Sequence, residues 1–399
     1  MTTVEPFYAP GRLYPRLVVL AAALFVVATN GFVIAGLLPQ IAKTLGVHAS
    51  DVGYAITFYA ATVAVAAPAT SIIFSRVSRT TLMSLGLVLT AIGTVVAASA
   101  PTLEVFIAGR VIAALGGAAV VPVATASAAA IAPPDHRGRA IGLVVVGFTA
   151  STAFGAPIGT ALAAVGGWRL PLFGLAGLAL VVAGVIALAI RRVPIDPAVS
   201  LGRRFAALGN VRLLLALLTT VFVVAGFNIV YIFSSSVVKQ ATGGEGSLLA
   251  VLLLIYGVAG LFGNSLGGTL VDRIGPRRVA LFFLGAMVVV LAVMPVAAAT
   301  FAGAAIAFAL WGFTASAGLP AIQYRQITID PEVAGVALSW NSTALYVGIA
   351  FAPLIGAAAL HGTGVQSVPV VGAIAGAVAL VLFQLSWAGR RTPVANTAG

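Results

Sequence analysis

Asn264-Ser-Leu-Gly-Gly-Thr-Leu-Val-Asp-Arg-Ile-Gly-Pro-Arg-Arg278 stands between two apolar runs and crowds arginines and an aspartate into a connection too short to form a domain. Such a segment fits the surface of a bilayer, where Arg273, Arg277 and Arg278 would sit among lipid headgroups. Gly263, Gly267 and Gly268 are small enough to let the end of one helix approach another. Asp272 can accept hydrogen bonds from exposed backbone N–H groups or from a neighbouring arginine, and Gly275 with Pro276 can turn the chain.

Composition agrees with a membrane surface on either side of a hydrocarbon core. Apolar residues make up 61% of the 399 positions and charged residues 8%, against about 25% charge in a water-soluble globule. A helix needs about 20 apolar residues to span a bilayer, which leaves room for about twelve spans joined by short loops. The apolar runs fall at 17–38, 52–74, 81–100, 103–130, 140–163, 170–190, 212–236, 247–270, 279–298, 301–323, 336–359 and 367–388. They are long and lack period-two alternation, which excludes a transmembrane barrel. The expected fold is an all-α polytopic membrane protein of twelve helices in two pseudo-symmetric six-helix bundles, residues 17–190 and 212–388. A tail over 1–16, a linker over 191–211 and a tail over 389–399 complete it. The first run is too long for a signal-peptide core and is expected to stay as a helix.

Net charge is +12, and its placement decides what it means. With both termini inside, Lys43, Arg169 and Lys239 fall outside, Arg110 falls within a span, and every other Lys and Arg falls inside. That asymmetry is the positive-inside rule, so the basic balance reports topology and gives no reason to expect nucleic acid. The chain has no cysteine, which removes disulfides, thiol chemistry and thiolate metal sites. His48, His136 and His361 are far apart in sequence, so neither a metal site nor a cofactor is expected. No paired carboxylates, nucleophile with base, or phosphate loop suggests an enzyme.

The two halves repeat. Arg16–Asn30 reads RLVVLAAALFVVATN and Arg212–Asn228 reads RLLLALLTTVFVVAGFN, and one common separation along the chain relates Tyr59 to Tyr256, Ser75 to Asp272 and Arg76 to Arg273. Such duplication implies a pseudo-two-fold axis along the membrane normal, with a site between the halves near the midplane. Polar and aromatic residues in otherwise apolar spans mark its expected lining: Asn30, Phe32, Tyr59, Asn228, Tyr231, Tyr256, Trp311, Asn341 and Tyr346. Arg110 lies several residues inside a span, where an unpaired charge costs about 3 kcal/mol or more, so it should point into the bundle; snorkelling toward the surface near Glu104 is the other possibility. Gly155, Pro157 and Gly159 indicate a bend or close crossing in the fifth span.

Read as G-x-L-x-D-R-x-G-x-R-R, residues Gly268, Leu270, Asp272, Arg273, Gly275, Arg277 and Arg278 resemble motif A of the major facilitator superfamily. Ala108–Ala119 resembles its motif B, and Gly155–Thr160 resembles motif C of the drug:proton antiporters, with Ala156 in place of the usual glycine. The whole chain is similar to the twelve-helix arabinose-efflux-permease-like and chloramphenicol-exporter-like members. The resemblance implies a secondary transporter that exports a small drug-like or sugar-like compound by alternating access, with protons as the coupling ion. Arg110 and Glu104 would be the coupling residues, and the motif A corner a conformational latch. Two features depart from the pattern. The first-half motif A is degraded to Ser71, Ser75 and Ser78 with Arg76 and Arg79, and Gly31 stands where relatives commonly place a glutamate. All nine acidic residues fall in loops or at helix ends, so no mid-membrane carboxylate is available to exchange a proton. A proton-independent facilitator or metabolite importer is the alternative. A non-transporting sensor, which would be expected to carry a soluble extension, is a further one. The expected partners are a small neutral or cationic organic cargo and the bilayer, with the protein a monomer.

Overall fold

The computed structural model describes residues 10–74, 77–133, 136–190, 193 and 201–388. They form twelve helices long and apolar enough to cross a membrane: α1 (Leu13–Leu45), α2 (Ala49–Thr70), α3 (Arg79–Ala98), α4 (Leu103–Ile131), α5 (Arg139–Gly166), α6 (Arg169–Ala189), α7 (Val211–Ile232), α8 (Gly246–Ile274), α9 (Pro276–Ala297), α10 (Phe301–Ile329), α11 (Pro331–Thr363) and α12 (Ser367–Trp387). Helices are what the sequence demands, because hydrocarbon offers no partner to a backbone N–H or C=O and each span must bond to itself. Apolar side chains such as Val65, Val165 and Val296, at 73%, 90% and 78% exposure, face outward. Lipid would cover them.

Helix pairing repeats between the halves. In the first, α4 packs on α2 and α3, α3 on α6, and α1 on α5; in the second, α10 packs on α8 and α9, α9 on α12, and α7 on α11. Across the interface α2 meets α11 and α5 meets α8, the two crossings that a pseudo-two-fold axis exchanges.

The observed boundaries differ from the apolar runs in an instructive way. α1 continues through Pro39 to Leu45, α10 runs to Ile329, and α7 stops at Ile232, beyond which Ser234–Val237 and Lys239–Thr242 form separate short turns. Hydropathy marks where the bilayer ends, whereas the helix continues as long as its own hydrogen bonds do. The same correction applies to 264–278. It is the last turns of α8 and the first of α9, and the only break is Gly275, whose φ of 86° is a conformation that favours glycine, followed by Pro276 at the first position of α9. Gly263 and Gly267 lie directly on the backbone of α10 at Phe313 and Ala317, while Gly268 faces open space.

One irregularity is invisible to hydropathy. Within α5, Ser151–Gly155 forms a π-helical turn, and this is where Gly257 of α8 comes against the backbone of Thr152 and Ala153. An inserted residue lets the helix surface shift at a crossing. Ser75, Arg76 and Asp135, residues 1–9 of the first tail, 191, 192 and 194–200 of the linker, and the tail 389–399 fall outside the described residues. Arg79, the other arginine of the degraded motif, donates to Ala126 O at 3.0 Å.

Gly267→Leu should destabilise the second half by about 1–3 kcal/mol through overpacking against α10, read as a lower melting temperature in detergent. Gly268→Ala, with nothing within 4 Å of the added Cβ, should leave it unchanged or slightly higher.

Candidate functional site

Chain ends and helix directions define two faces: a terminal face, where α1 begins and α12 ends, and a far face. At the far face the halves touch. His361 Nε2 and Ser50 Oγ are hydrogen-bonded at 2.9 Å, and Thr57 Oγ1 donates to Ala350 O at 2.9 Å. Gly53 lies against Pro353 and Phe233, and Gly356 against Phe233. His48 and His361, remote in sequence, meet edge to face with ring centroids 6.5 Å apart, and His48 bonds to Asp51. Among the described residues no group of three or more His, Asp or Glu could hold a metal.

Beneath this seal, between the halves, lies an aromatic-lined space. Its upper chamber, about 20 Å³, is bounded by Gly31, Phe32, Tyr59, Tyr231, Tyr346 and Asn228. A larger chamber of about 120 Å³ extends toward the terminal face, past Phe148, Thr152, Tyr256 and Asn264. Phe32 of α1 joins the halves, with its ring edge-on to Phe148 at 5.9 Å and to Tyr231 at 6.0 Å. Tyr231 packs on Tyr256 at 5.4 Å, and Tyr256 on Trp311 at 4.3 Å. The Tyr231 hydroxyl and the Trp311 indole N–H are buried without a partner among the described residues. Asn228 Nδ2 donates to Val224 O in its own helix at 2.9 Å, so its carbonyl oxygen stays available to a cargo.

Arg110 sits behind this space. It is 1% exposed, pointing into the bundle as its position required, and it does not snorkel. One guanidinium nitrogen donates to Asn30 Oδ1, and the guanidinium carbon rests 4.2 Å from the centre of the Tyr59 ring. Asn30 Nδ2 donates to Thr94 Oγ1 at 2.5 Å, Thr94 donates to Thr90 O at 2.6 Å, and the Tyr59 hydroxyl donates to Val27 O at 3.2 Å. The network joins α1, α2, α3 and α4. Arg110 Nε and Nη2 remain buried without a partner among the described residues.

Phe32, Tyr59, Asn228, Tyr231, Tyr256 and Tyr346 therefore come together around one cavity. Asn30 does not line it: both atoms of its carboxamide serve Arg110 and Thr94. Trp311 stands one ring behind. Asn341 belongs to a separate buried network, where Thr220 Oγ1 donates to Asn341 Oδ1 at 2.8 Å and Gln326 Nε2 donates to Thr220 Oγ1 at 3.0 Å. Glu104 is exposed in the first turn of α4, away from Arg110. Gly155 and Gly159 pack on Thr29 and Val33 of α1, and Pro157 is buried beside them. Asp272 and Arg273 are exposed, and Asp272 makes no ion pair or hydrogen bond among the described residues; Arg277 Nε donates to Gln384 Oε1 at 2.9 Å. Sequence reading missed Phe148, an apolar ring among apolar rings, and Thr94, whose role depends on residues far along the chain.

Two repeated six-helix units around a midplane cavity define a class, the polytopic carriers that expose one site to either side of a membrane in turn. Sequence comparison is more specific. The Major Facilitator Superfamily profile matches residues 20–325 and 215–398, and the chain belongs to that superfamily of transporters. An uncharacterized transporter of this type from Bacillus subtilis, YbcL, is 32% identical over 366 residues, covering 92% of this chain and 94% of its own. A chloramphenicol resistance protein from Streptomyces lividans is 33% identical over 367 residues, covering 87% and 90%. Among solved structures, a bacterial homologue of the human lysosomal transporter Spinster, in an inward-facing and occupied conformation, superposes with a TM-score of 0.76 at 19% identity, covering 95% of this chain and 97% of that one. The protein is thus a multi-pass membrane transporter, not an enzyme.

Asn30→Leu would strip Arg110 of its acceptor and should cost about 1.5–3 kcal/mol, the range for a hydrogen bond to a charged group. Asn228→Leu, which loses a bond within one helix, should cost less. Thermal unfolding of the purified variants in detergent checks the order.

Proposed function

We propose that this chain exports a small, largely aromatic organic compound across a bacterial inner membrane by alternating access, with residues 17–190 and 212–388 as the units that rock and both termini in the cytoplasm. The carrying observation is the position of the cavity. It lies between the halves, is walled by rings from both, is sealed by contacts near the far face, and extends toward the terminal face. With the termini inside, that is an inward-facing geometry with a site accessible from the cytoplasm. The likeness to a chloramphenicol resistance protein supports a drug-like cargo.

In this reading Phe32, Tyr231, Tyr256 and Tyr346 supply apolar and stacking contact, and Asn228 and the Tyr231 hydroxyl supply polar contact. Rocking would break the far-face contacts and bring the terminal ends of the halves together, where the α8–α9 corner with Asp272 can engage a new partner. The Asp272 side chain, without a partner among the described residues, fits a latch that acts in the other state.

Exchange for protons is the coupling we favour, on family resemblance. One observation favours a proton-independent facilitator instead: neither chamber is lined by a carboxylate or a histidine, so no group of ordinary pKa is in place to trade a proton against cargo.

An efflux-deficient bacterium expressing the chain should tolerate at least about fourfold more chloramphenicol or a related planar antibiotic, and Arg110→Ala at equal expression should abolish the protection. Full sensitivity with well-expressed wild type would count against export. A protonophore separates the coupling readings, because it collapses accumulation gradients only if protons drive them. Asp272→Asn should express normally and lower turnover; unchanged turnover would remove the latch.

A further inference from the structure

Resting on the reading of the cavity as the cargo site, we infer that Arg110 makes it a charge filter: the site takes uncharged or singly anionic aromatic compounds rich in hydrogen-bond acceptors and rejects organic cations. Three observations lead there. The cavity lining contains no Asp, Glu, Lys, Arg or His, so Arg110 is the fixed charge directly behind its wall, 4.2 Å from the ring of Tyr59. That charge is not cancelled, because its partners are an amide oxygen and a ring face. Finally, the buried polar atoms around the cavity that have no partner among the described residues, Arg110 Nε and Nη2, the Trp311 indole N–H and the Thr29 and Tyr231 hydroxyls, can all donate.

Magnitudes decide against the rival expectation, that an aromatic box captures cations. A charge resting on Tyr59 stands roughly 8 Å from the guanidinium, where an effective dielectric constant of ~20 shifts affinity by on the order of 30-fold, unfavourably for a cation and favourably for an anion. Cation–π contact with the remaining rings returns roughly 10-fold, and the ring of Tyr59 is already taken by Arg110. Desolvation disfavours any charge, and only an anion finds compensation here. A neutral cargo bearing carbonyl or nitro oxygens pays neither cost and can accept from the Tyr231 hydroxyl, the unpartnered group that lines the cavity. The cationic half of the sequence expectation is therefore withdrawn.

Gly31 offers a clean reversal. It lines the cavity, and a Cβ added there would meet Tyr59 Cε1 at 3.6 Å, an ordinary contact, so Gly31→Glu places a carboxylate between the cavity and Arg110. Equilibrium dialysis of the purified full chain would compare 2-naphthamide, 2-naphthoate and 2-naphthamidinium, near-isosteric probes that are neutral, anionic and cationic. Wild type should hold the amide and the carboxylate at least about tenfold tighter than the amidinium. Gly31→Glu should close or invert that gap, and Arg110→Gln, a second route to the same change, should narrow it. Equal binding of all three probes to wild type, or an amidinium gap unchanged in both folded variants, overturns the filter while leaving the cavity as the binding site. Binding of none of the three overturns the cargo-site reading and the filter with it.

Discussion

A guanidinium sealed inside a bilayer has to find its partners within the protein, and the way Arg110 does so organises the first half of this transporter. Its hydrogen bond to Asn30 ties α4 to α1, the onward bond from Asn30 ties α1 to α3, and its contact with the Tyr59 ring ties α4 to α2. The donor-to-acceptor direction is fixed along the whole path, because arginine can only donate and Asn30 must then turn its carbonyl oxygen toward it. In hydrocarbon no hydrophobic force draws one helix to another, so packing of small residues and such bonds carry the association. Arg110 Nε and Nη2, which carry three N–H groups, stay without a partner among the described residues, and that surplus reaches the cavity as field.

The second half uses the same backbone plan for different chemistry. Tyr59 and Tyr256 stand at equivalent places in the sequence repeat, each on the second helix of its half and each lining the cavity. Tyr59 stacks with Arg110 from the fourth helix; Tyr256 stacks with Trp311 from the fourth helix of its own half, 4.3 Å away. A duplicated scaffold has thus placed a cationic plane on one side and an indole on the other. The cavity between them is apolar in area and polarised in field, which suits neutral or anionic, acceptor-rich rings better than cationic ones.

How much of this was legible in sequence follows from the range of each interaction. Helix number, the turn at Gly275 and the inward direction of Arg110 follow from properties local to a span: length, a positive-φ glycine, and the cost of a charge in hydrocarbon. Phe32, Tyr59, Asn228, Tyr231, Tyr256 and Tyr346 could be singled out because a polar or aromatic residue stands out in an apolar run. Asn30 stood out for the same reason and was assigned to the cargo, yet its carboxamide is consumed by Arg110 and Thr94, partners 80 and 64 positions away. Asn341 was likewise drawn off by Thr220. The bend or close crossing that Gly155, Pro157 and Gly159 indicate in the fifth span takes the form of a π-helical turn at Ser151–Gly155, against which Gly257 packs; its π form depends on contacts a single span does not show.

That crossing bears on how the halves could move. The far-face seal consists of a few hydrogen bonds, Ser50 with His361 and Thr57 with Ala350, and of contacts among Gly53, Gly356, Pro353 and Phe233. Hydrogen bonds of this kind contribute about 0.5–1.5 kcal/mol each, so breaking both costs only a few kcal/mol, the scale on which two conformations of a carrier exchange. The Thr152–Gly257 contact lies farther toward the midplane, where two helices touch backbone to backbone with no side chain to shear. A pivot belongs at such a place, since rotation about it displaces both helix ends while the contact itself changes least. Thr152 forms part of that point on α5 with Phe148 one turn away, and Tyr256 adjoins it on α8 with Asn264 two turns beyond, so motion about it would keep the residues that would hold cargo together.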